Sequence, residues 1–367
     1  MPGSRPQLRR WSTARRHGFP TGTFPRHGDA VIMSLTRAMS RHAGVFATSD
    51  ALAAGVHPKA IGPLLRSGEW RRIRFGVYTT ADVWHEHEAM GRAHRLECAA
   101  VLRRLDRSGA AVSHGSAARL HGLVLPRSPE TDVRLTDPEQ FRTGRGYRIS
   151  EAALPLGDVV IQDGVSLTTV PRTLADVGRE WALPDTVVAV DDALADGRTT
   201  LDELRAAALA QTHWVGCGRA ARAFSLARVG AHSPHETLTR LALLDAGLPE
   251  PLLQQAVRVG SRLIAVLDMY WPEHGVFAEC DGRVKYTDPW RNRTPAQVLW
   301  DEKRRQDDLL DLDLRGVRIA PEDLDGRLDG KVTRLRALLS GGRPGAPRYR
   351  TELWNGGLRV TPRWSAA

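Results

Sequence analysis

Ser67-Gly68-Glu69-Trp70-Arg71-Arg72-Ile73-Arg74-Phe75-Gly76-Val77-Tyr78 is the stretch on which the reading of the fold turns. TrpArgArgIleArg (70–74) and PheGlyValTyrThrThr (75–80) alternate like the two strands of a short ribbon. Working back from it, Pro58 opens a helix over 59–67 that Gly68 closes. Before that, Thr48, Ser49 and Asp50 offer caps for a helix over 51–55, which Gly55 ends, and Ser34 to Arg41 reads as the first helix. Two short helices followed by a basic hairpin are the outline of a winged helix-turn-helix.

With these residues in place, the 67–78 segment resembles the end of the winged-helix domain of abortive-infection type IV antitoxins. Such domains bind DNA with the second helix in the major groove and the hairpin as a wing. By that resemblance His57, Lys59 and Arg66 face the groove, and Arg71, Arg72 and Arg74 contact the backbone. Guanidinium groups suit both tasks, because their planar donors fork onto phosphates and guanine edges. The competing reading is a solvated basic hairpin in a protein–protein module.

The chain has 367 residues and a formal net charge of +10 from 52 Lys+Arg against 42 Asp+Glu. At roughly 150 residues per domain this length predicts two or three domains. Hydrophobic residues at 42% and charged residues at 26% are ordinary for a folded protein and exclude a disordered or collagen-like chain. The charge is uneven. Residues 1–32 carry six Arg against Asp29, or +5, and residues 341–367 carry five Arg against Glu352, or +4. Taking both from +10 leaves +1 for residues 33–340. The basic character thus lies mostly in two Gly/Pro/Arg-rich tails, which either hold phosphate backbones non-specifically or are solvated ends. No stretch approaches the roughly 18 uncharged apolar residues of a membrane span, and the N-terminus has no apolar secretory region. Cys98, Cys217 and Cys280 lie far apart without a CxxC pair. They make neither a disulfide framework nor a four-cysteine zinc site, and a reducing cytoplasm is expected.

Residues 85–107 have helical apolar spacing and predict one long helix, and 113–123 a shorter one capped by Ser113. Segments near 130–136, 145–150 and 158–162 alternate like strands, and 170–177 and 186–194 are helical, so the middle block is expected to be α+β. Ser113, His114 and His121 invite a catalytic reading. A Ser next to a His in sequence does not place base against nucleophile, however, and no GxSxG turn surrounds it. Capping and a core-facing His are the expected roles. Arg172 and Asp176, four apart, predict an intrahelical pair.

From Ser233 the character changes. Residues 233–249 form a helix with Pro234 in its first turn, ended by Gly247 and Pro249. Apolar runs at 252–258, 263–271 and 276–280 read as three antiparallel strands, 296–310 as a helix and 316–320 as a further strand. Asp268 sits within the second strand, and Glu279 and Asp281 flank Cys280 on the third. Residues two apart share a strand face, so Glu279 and Asp281 are expected to converge beside Asp268. Clustered carboxylates need a cation, and hard oxygen ligands suit Mg²⁺ or Mn²⁺, which would assist phosphodiester hydrolysis.

PheAlaGluCysAspGlyArgValLysTyr (277–286), preceded by LeuAspMetTyrTrp (267–271), resembles the DUF559 family of very-short-patch-repair-like endonuclease domains in the PD-(D/E)XK superfamily. SerProHisGlu (233–236) and AspGluLysArgArg (301–305) resemble its opening and later helices, so the likeness spans residues 233–320. It implies Asp268 and Glu279 as metal ligands and Glu236 as a helix acid reaching the same metal. Asp281 stands where many members have a lysine, and Lys285 is the basic group that would serve the scissile phosphate. Arg304 and Arg305 are implied as phosphate contacts.

The expectation is therefore an α+β multidomain protein: an Arg-rich tail (1–32), a winged helix-turn-helix (33–82), an α+β middle domain (83–228), a restriction-endonuclease-like α/β domain (229–340) and a flexible basic tail (341–367). DNA is the expected partner, with a toxin protein as a further one. Metal-dependent endonuclease activity competes with a non-catalytic antitoxin-like regulator on a degenerate nuclease fold.

Overall fold

The structure, a computed structural model, describes residues 28–280, 295–342 and 345–354. Asp281 and Lys285 lie outside the described residues. The first unit runs α1 (Gly28–Arg41), β1 (Phe46–Ala47), α2 (Thr48–Ala53), α3 (Pro58–Arg66), β2 (Trp70–Arg74) and β3 (Val77–Thr80). Its strands pair antiparallel in the order β1-β3-β2. Phe46, Trp70 and Tyr78 meet with ring centroids 4.7–6.0 Å apart, and Leu35, Ala38 and Ala51 close over them. From α3, Ile61, Leu64 and Leu65 pack on this cluster, which fixes that helix's outward face. This order of elements is consistent with the winged helix that the hairpin predicts. At α2 the cap differs from expectation: Ala47 is the N-cap, and its N–H donates to Asp50 Oδ2 at 2.7 Å, so Thr48, Ser49 and Asp50 sit inside the first turn.

The long helix expected over 85–107 is two, α4 (Ala81–Ala89) and α5 (Ala93–Leu105). Gly91 between them has φ +67°, a conformation that breaks a right-handed helix and favours glycine. The middle block adds β4 (Ala111–Val112), α6 (His114–Leu120), β5 (Val133–Asp137), β6 (Arg142–Gly144), β7 (Tyr147–Glu151), β8 (Val159–Gln162) and β9 (Val165–Thr168). They form one mixed sheet in the order β6-β7-β5-β4-β9-β8. Leu96, Ala99 and Ala100 of α5 pack on Leu135, Ile149 and Leu167 of this sheet and also on Val45 and Val77 of the winged helix. The core thus runs uninterrupted across residue 82. A helical layer, α7 (Val170–Gly178), α8 (Leu183–Ala195), α9 (Leu201–Ala210) and α10 (Cys217–Leu226), packs through Leu174, Val177, Ala189, Val190 and Leu204.

The last unit contains α11 (Pro234–Asp245), β10 (Leu252–Val259), β11 (Arg262–Trp271), β12 (Val276–Cys280), α12 (Pro295–Asp311), β13 (Arg315–Ile319), α13 (Leu328–Ser340) and β14 (Arg350–Leu353). The strand order is β13-β12-β11-β10-β14, with β12 and β13 parallel. One sheet face is covered by Leu243 of α11 and Leu335 and Leu339 of α13, and the other by Leu309 of α12 against Tyr270 and Phe277. The expected tail at 341–367 is in part structural, since Arg350–Leu353 extends the sheet beside β10. Among the described residues no helix is long and apolar enough to cross a membrane.

Candidate nucleic-acid interface and a divided acid cluster

The inward set Ile61, Leu64 and Leu65 leaves Lys59 and Arg66 exposed on α3, seven residues and two turns apart. Between them stand Gly62 and Pro63, which carry no long side chain and let this face approach a flat or grooved partner closely. His57 is the N-cap of α3, and its Nδ1 accepts the Lys59 N–H at 3.2 Å. Its ring therefore has a structural task besides any contact with a base.

On the wing, Arg71 and Arg72 are exposed, and the Arg71 guanidinium lies 3.7 Å from the centre of the Trp84 ring. That stacking holds the group flat and outward. Arg74 corrects the expectation of a backbone contact. Its Nη1 donates to Arg145 O at 2.8 Å and its Nη2 to Gly146 O at 2.6 Å, and burial pulls its pKa down. Arg74 pins the wing to the β6–β7 turn instead. Between residues 57 and 74, five Lys and Arg face a single acid, Glu69.

In the last unit the acids divide into two groups. The β11–β12 ladder ends at Met269↔Ala278, and one residue further on the Asp268 carboxylate takes its place, Oδ2 accepting the Cys280 N–H at 2.8 Å. Gln254 Nε2 donates to Asp268 Oδ1 at 3.2 Å and to Glu236 Oε2 at 2.9 Å. Two carboxylates from separate elements thus converge on one amide nitrogen. In the sequence Gln254 carries no signal of this role, being a polar residue inside an apolar run. Its backbone has φ +47° and it is buried, a strained state that the surrounding strands impose.

Glu279 belongs to the other group. Arg305 Nη1 and Nη2 donate to its two oxygens at 2.5 and 2.8 Å, and Arg318 lies 3.6 Å away. Glu302 joins the same network through Arg305 and Arg318. Burial works against the Arg305 charge, but the hydrogen bonds and charge of Glu279, then Glu302, raise its pKa above the usual value. Arg305, expected as a phosphate contact, is thereby committed to Glu279. Among the described residues no group of three or more His, Cys, Asp or Glu stands ready to hold a metal. The paired ladder of β11 and β12 ends at Met269↔Ala278, just before Asp268 and Glu279, and Asp281, the third acid of the expected cluster, lies outside the described residues.

The middle block also departs from expectation at Ser113. Its hydroxyl makes no cap bond and lies 2.8 Å from His114 Nδ1, so the neighbouring side chains do meet. Thr136 Oγ1 donates to Ser113 Oγ at 2.8 Å, which leaves the Ser113 proton for His114. Both residues are buried, and burial pushes the His114 pKa down to about 4. A buried hydroxyl beside so weak a base is a core hydrogen-bond chain. The Arg172–Asp176 pair forms as its spacing predicts, at 3.2 Å.

With this geometry in hand, residues 34–81 match the family described as AbiEi antitoxin transcriptional regulators, so the N-terminal region is antitoxin-like. Over 276 residues the chain is 26% identical to the uncharacterized proteins MT2308 and Rv2248 of Mycobacterium tuberculosis, covering 74% of this chain and 93% of theirs. The crystal structure of the Rv2827c protein from Mycobacterium tuberculosis is similar at 16% identity and a TM-score of 0.36, over 60% of this chain and 82% of that one.

Proposed function

We propose that the protein is a DNA-binding regulator of the antitoxin type, which reads DNA with α3 and braces it with the wing. The observation that carries this reading is the exposed basic face itself: Lys59 and Arg66 two turns apart on a helix with no bulk between them, flanked by Arg71 and Arg72. A partner with a regular polyanionic backbone satisfies that surface without new acids from the chain. A toxin protein is a proposed further partner, in keeping with the antitoxin-like region.

In a mobility-shift assay the protein is expected to retard duplex DNA, with affinity falling steeply as salt rises. Arg66→Ala with Arg72→Ala should weaken binding and reduce the slope of log K against log salt by about two, roughly one per lost phosphate contact. An unchanged slope in the double variant would remove these residues from the interface.

A second reading, metal-dependent phosphodiester hydrolysis, is favoured by one observation: Glu236 and Asp268 aim carboxylate oxygens at a single atom, Gln254 Nε2. Oxygens so placed suit Mg²⁺ or Mn²⁺, and an ion there would supply a Lewis acid and an activated water. The Arg305 hold on Glu279 opposes it. On the regulatory reading, supercoiled plasmid is expected to stay intact in Mn²⁺ at protein concentrations that shift it. Nicking that disappears in Asp268→Ala would instead establish the nuclease.

A further inference from the structure

A cavity of ≈ 670 Å³ opens in the middle block, far in sequence from both sites above, with His114, Arg148, Arg172, Arg179 and Trp214 among its lining residues. Its volume is within the range of small-molecule sites. Arg172 is 4% exposed. Its Nε holds Asp176, and its Nη1 reaches Asp158 and Ala153 O, yet its Nη2 is buried without an acceptor. A buried guanidinium N–H left unpaired is costly unless something else completes it. Trp214 stands 5.0 Å from both the Arg172 and Arg179 guanidinium groups and so presents an aromatic wall beside two cations. That wall is fixed in place. Gly216 has φ +84°, a Cβ there would meet Arg179 O at 2.6 Å, and Arg179 Nη1 donates to Val215 O at 3.2 Å. The Arg148 side chain is exposed, and its guanidinium has no ion pair or hydrogen bond among the described residues. Of the two acids lining the cavity, Glu180 is spent on Arg134 at 2.8 Å and Glu151 lies exposed at the rim. Inside the rim, the unspent group beside the indole is therefore a donor, Arg172 Nη2. His114, in the lining, has φ +50°, a strained state that only a closely determined setting maintains.

We propose that this cavity binds a small planar anion, an aromatic or heteroaromatic ring carrying a phosphate or carboxylate, with the ring on Trp214 and the anion on Arg148 and Arg172. The site also has a route to the wing. Arg148 and Ser150 of β7 line the cavity, and the turn that opens β7 is the one Arg74 grips. That coupling rests on the DNA-binding reading, whereas binding of the anion does not.

The test is calorimetry on the full chain with adenosine monophosphate, benzoate, adenosine and inorganic phosphate as probes. At least one of the two ring-bearing anions is expected to bind, and more tightly than adenosine or phosphate alone. Trp214→Ala and Arg148→Ala, neither of them in the core, should each weaken that binding at least tenfold while leaving the DNA shift of the unliganded protein intact. Binding of neither adenosine monophosphate nor benzoate overturns the proposal, and so does binding that survives both substitutions. Because the readout is heat of anion binding, a failure of the DNA assay leaves it unaffected.

Discussion

Asp191→Ala is expected to destabilise the protein by about 3–5 kcal/mol in urea unfolding, the typical cost of stranding one partner of a buried ion pair. Asp191 on α8 is 1% exposed and Arg240 on α11 is 0% exposed, and they meet at 3.0 Å. Thr237 Oγ1 and the Arg228 N–H also donate to the Asp191 carboxylate, at 2.9 and 2.8 Å. Removing it leaves a hydroxyl and an N–H without their acceptor, and a buried guanidinium whose remaining acid is Glu250 at 3.4 Å. The pair also joins the helical layer of the middle block to the first helix of the last unit, so its loss weakens the junction as well as the local packing. Replacing both partners, as Asp191→Leu with Arg240→Met, is expected to recover part of the loss: no buried charge is stranded, and only the Thr237 hydroxyl and the Arg228 N–H still lack their acceptor. Arg205→Ala, which breaks an exposed pair with Asp202, should cost less than about 1 kcal/mol. A loss at Asp191 no larger than that at Arg205 would show that the buried pair holds nothing together.

The second large effect is in pH. Burial lowers the His114 pKa from the ordinary value of 6.5 to about 4. The unfolded chain then takes up a proton at His114 below pH 6.5 while the folded protein refuses it until about pH 4. Stability contributed by the neutral ring is complete above pH 6.5 and drains as pH falls through that window. At 1.36 kcal/mol per unit the loss reaches about 3 kcal/mol. His121 is shifted the same way, mainly by burial against the opposing hydrogen bond to Thr168 O, and adds to the same limb. Unfolding free energies measured from pH 7.5 to 4 should therefore fall with acid, and His114→Asn should flatten the fall. Asn is chosen because it tolerates positive φ and keeps a polar group beside Ser113. An acid limb identical in the variant would place the titration elsewhere.

Much of the architecture was legible in residue order. The ribbon at 70–80, the short helices before it, and the run of helix, three strands, helix and strand after Ser233 all rest on local period and on Gly or Pro at the ends. Where reading failed, a non-local contact decided. Residues 350–353 are too short and too polar to announce a strand, and they become one because β10 offers an unpaired edge. The break between α4 and α5 hangs on the backbone state of Gly91, which helical spacing of the apolar residues conceals. For the sites the division is sharper. Exposure of Lys59, Arg66, Arg71 and Arg72 follows from which α3 residues are apolar and from strand alternation. The commitment of Arg74 to the β6–β7 turn, some seventy residues away, does not.

By itself, then, the sequence determined the elements, the winged-helix outline and the basic face, because helix and strand periods are set by neighbours within a few residues. Only the tertiary structure decided which charges remain available. It spends Arg74 on two carbonyls, Arg305 on Glu279 and one amide of Gln254 on two carboxylates, and it leaves Arg172 Nη2 without an acceptor beside Trp214. The physical reason is that a charge is satisfied by whatever the fold brings within about 3 Å, and that distance has no counterpart along the chain.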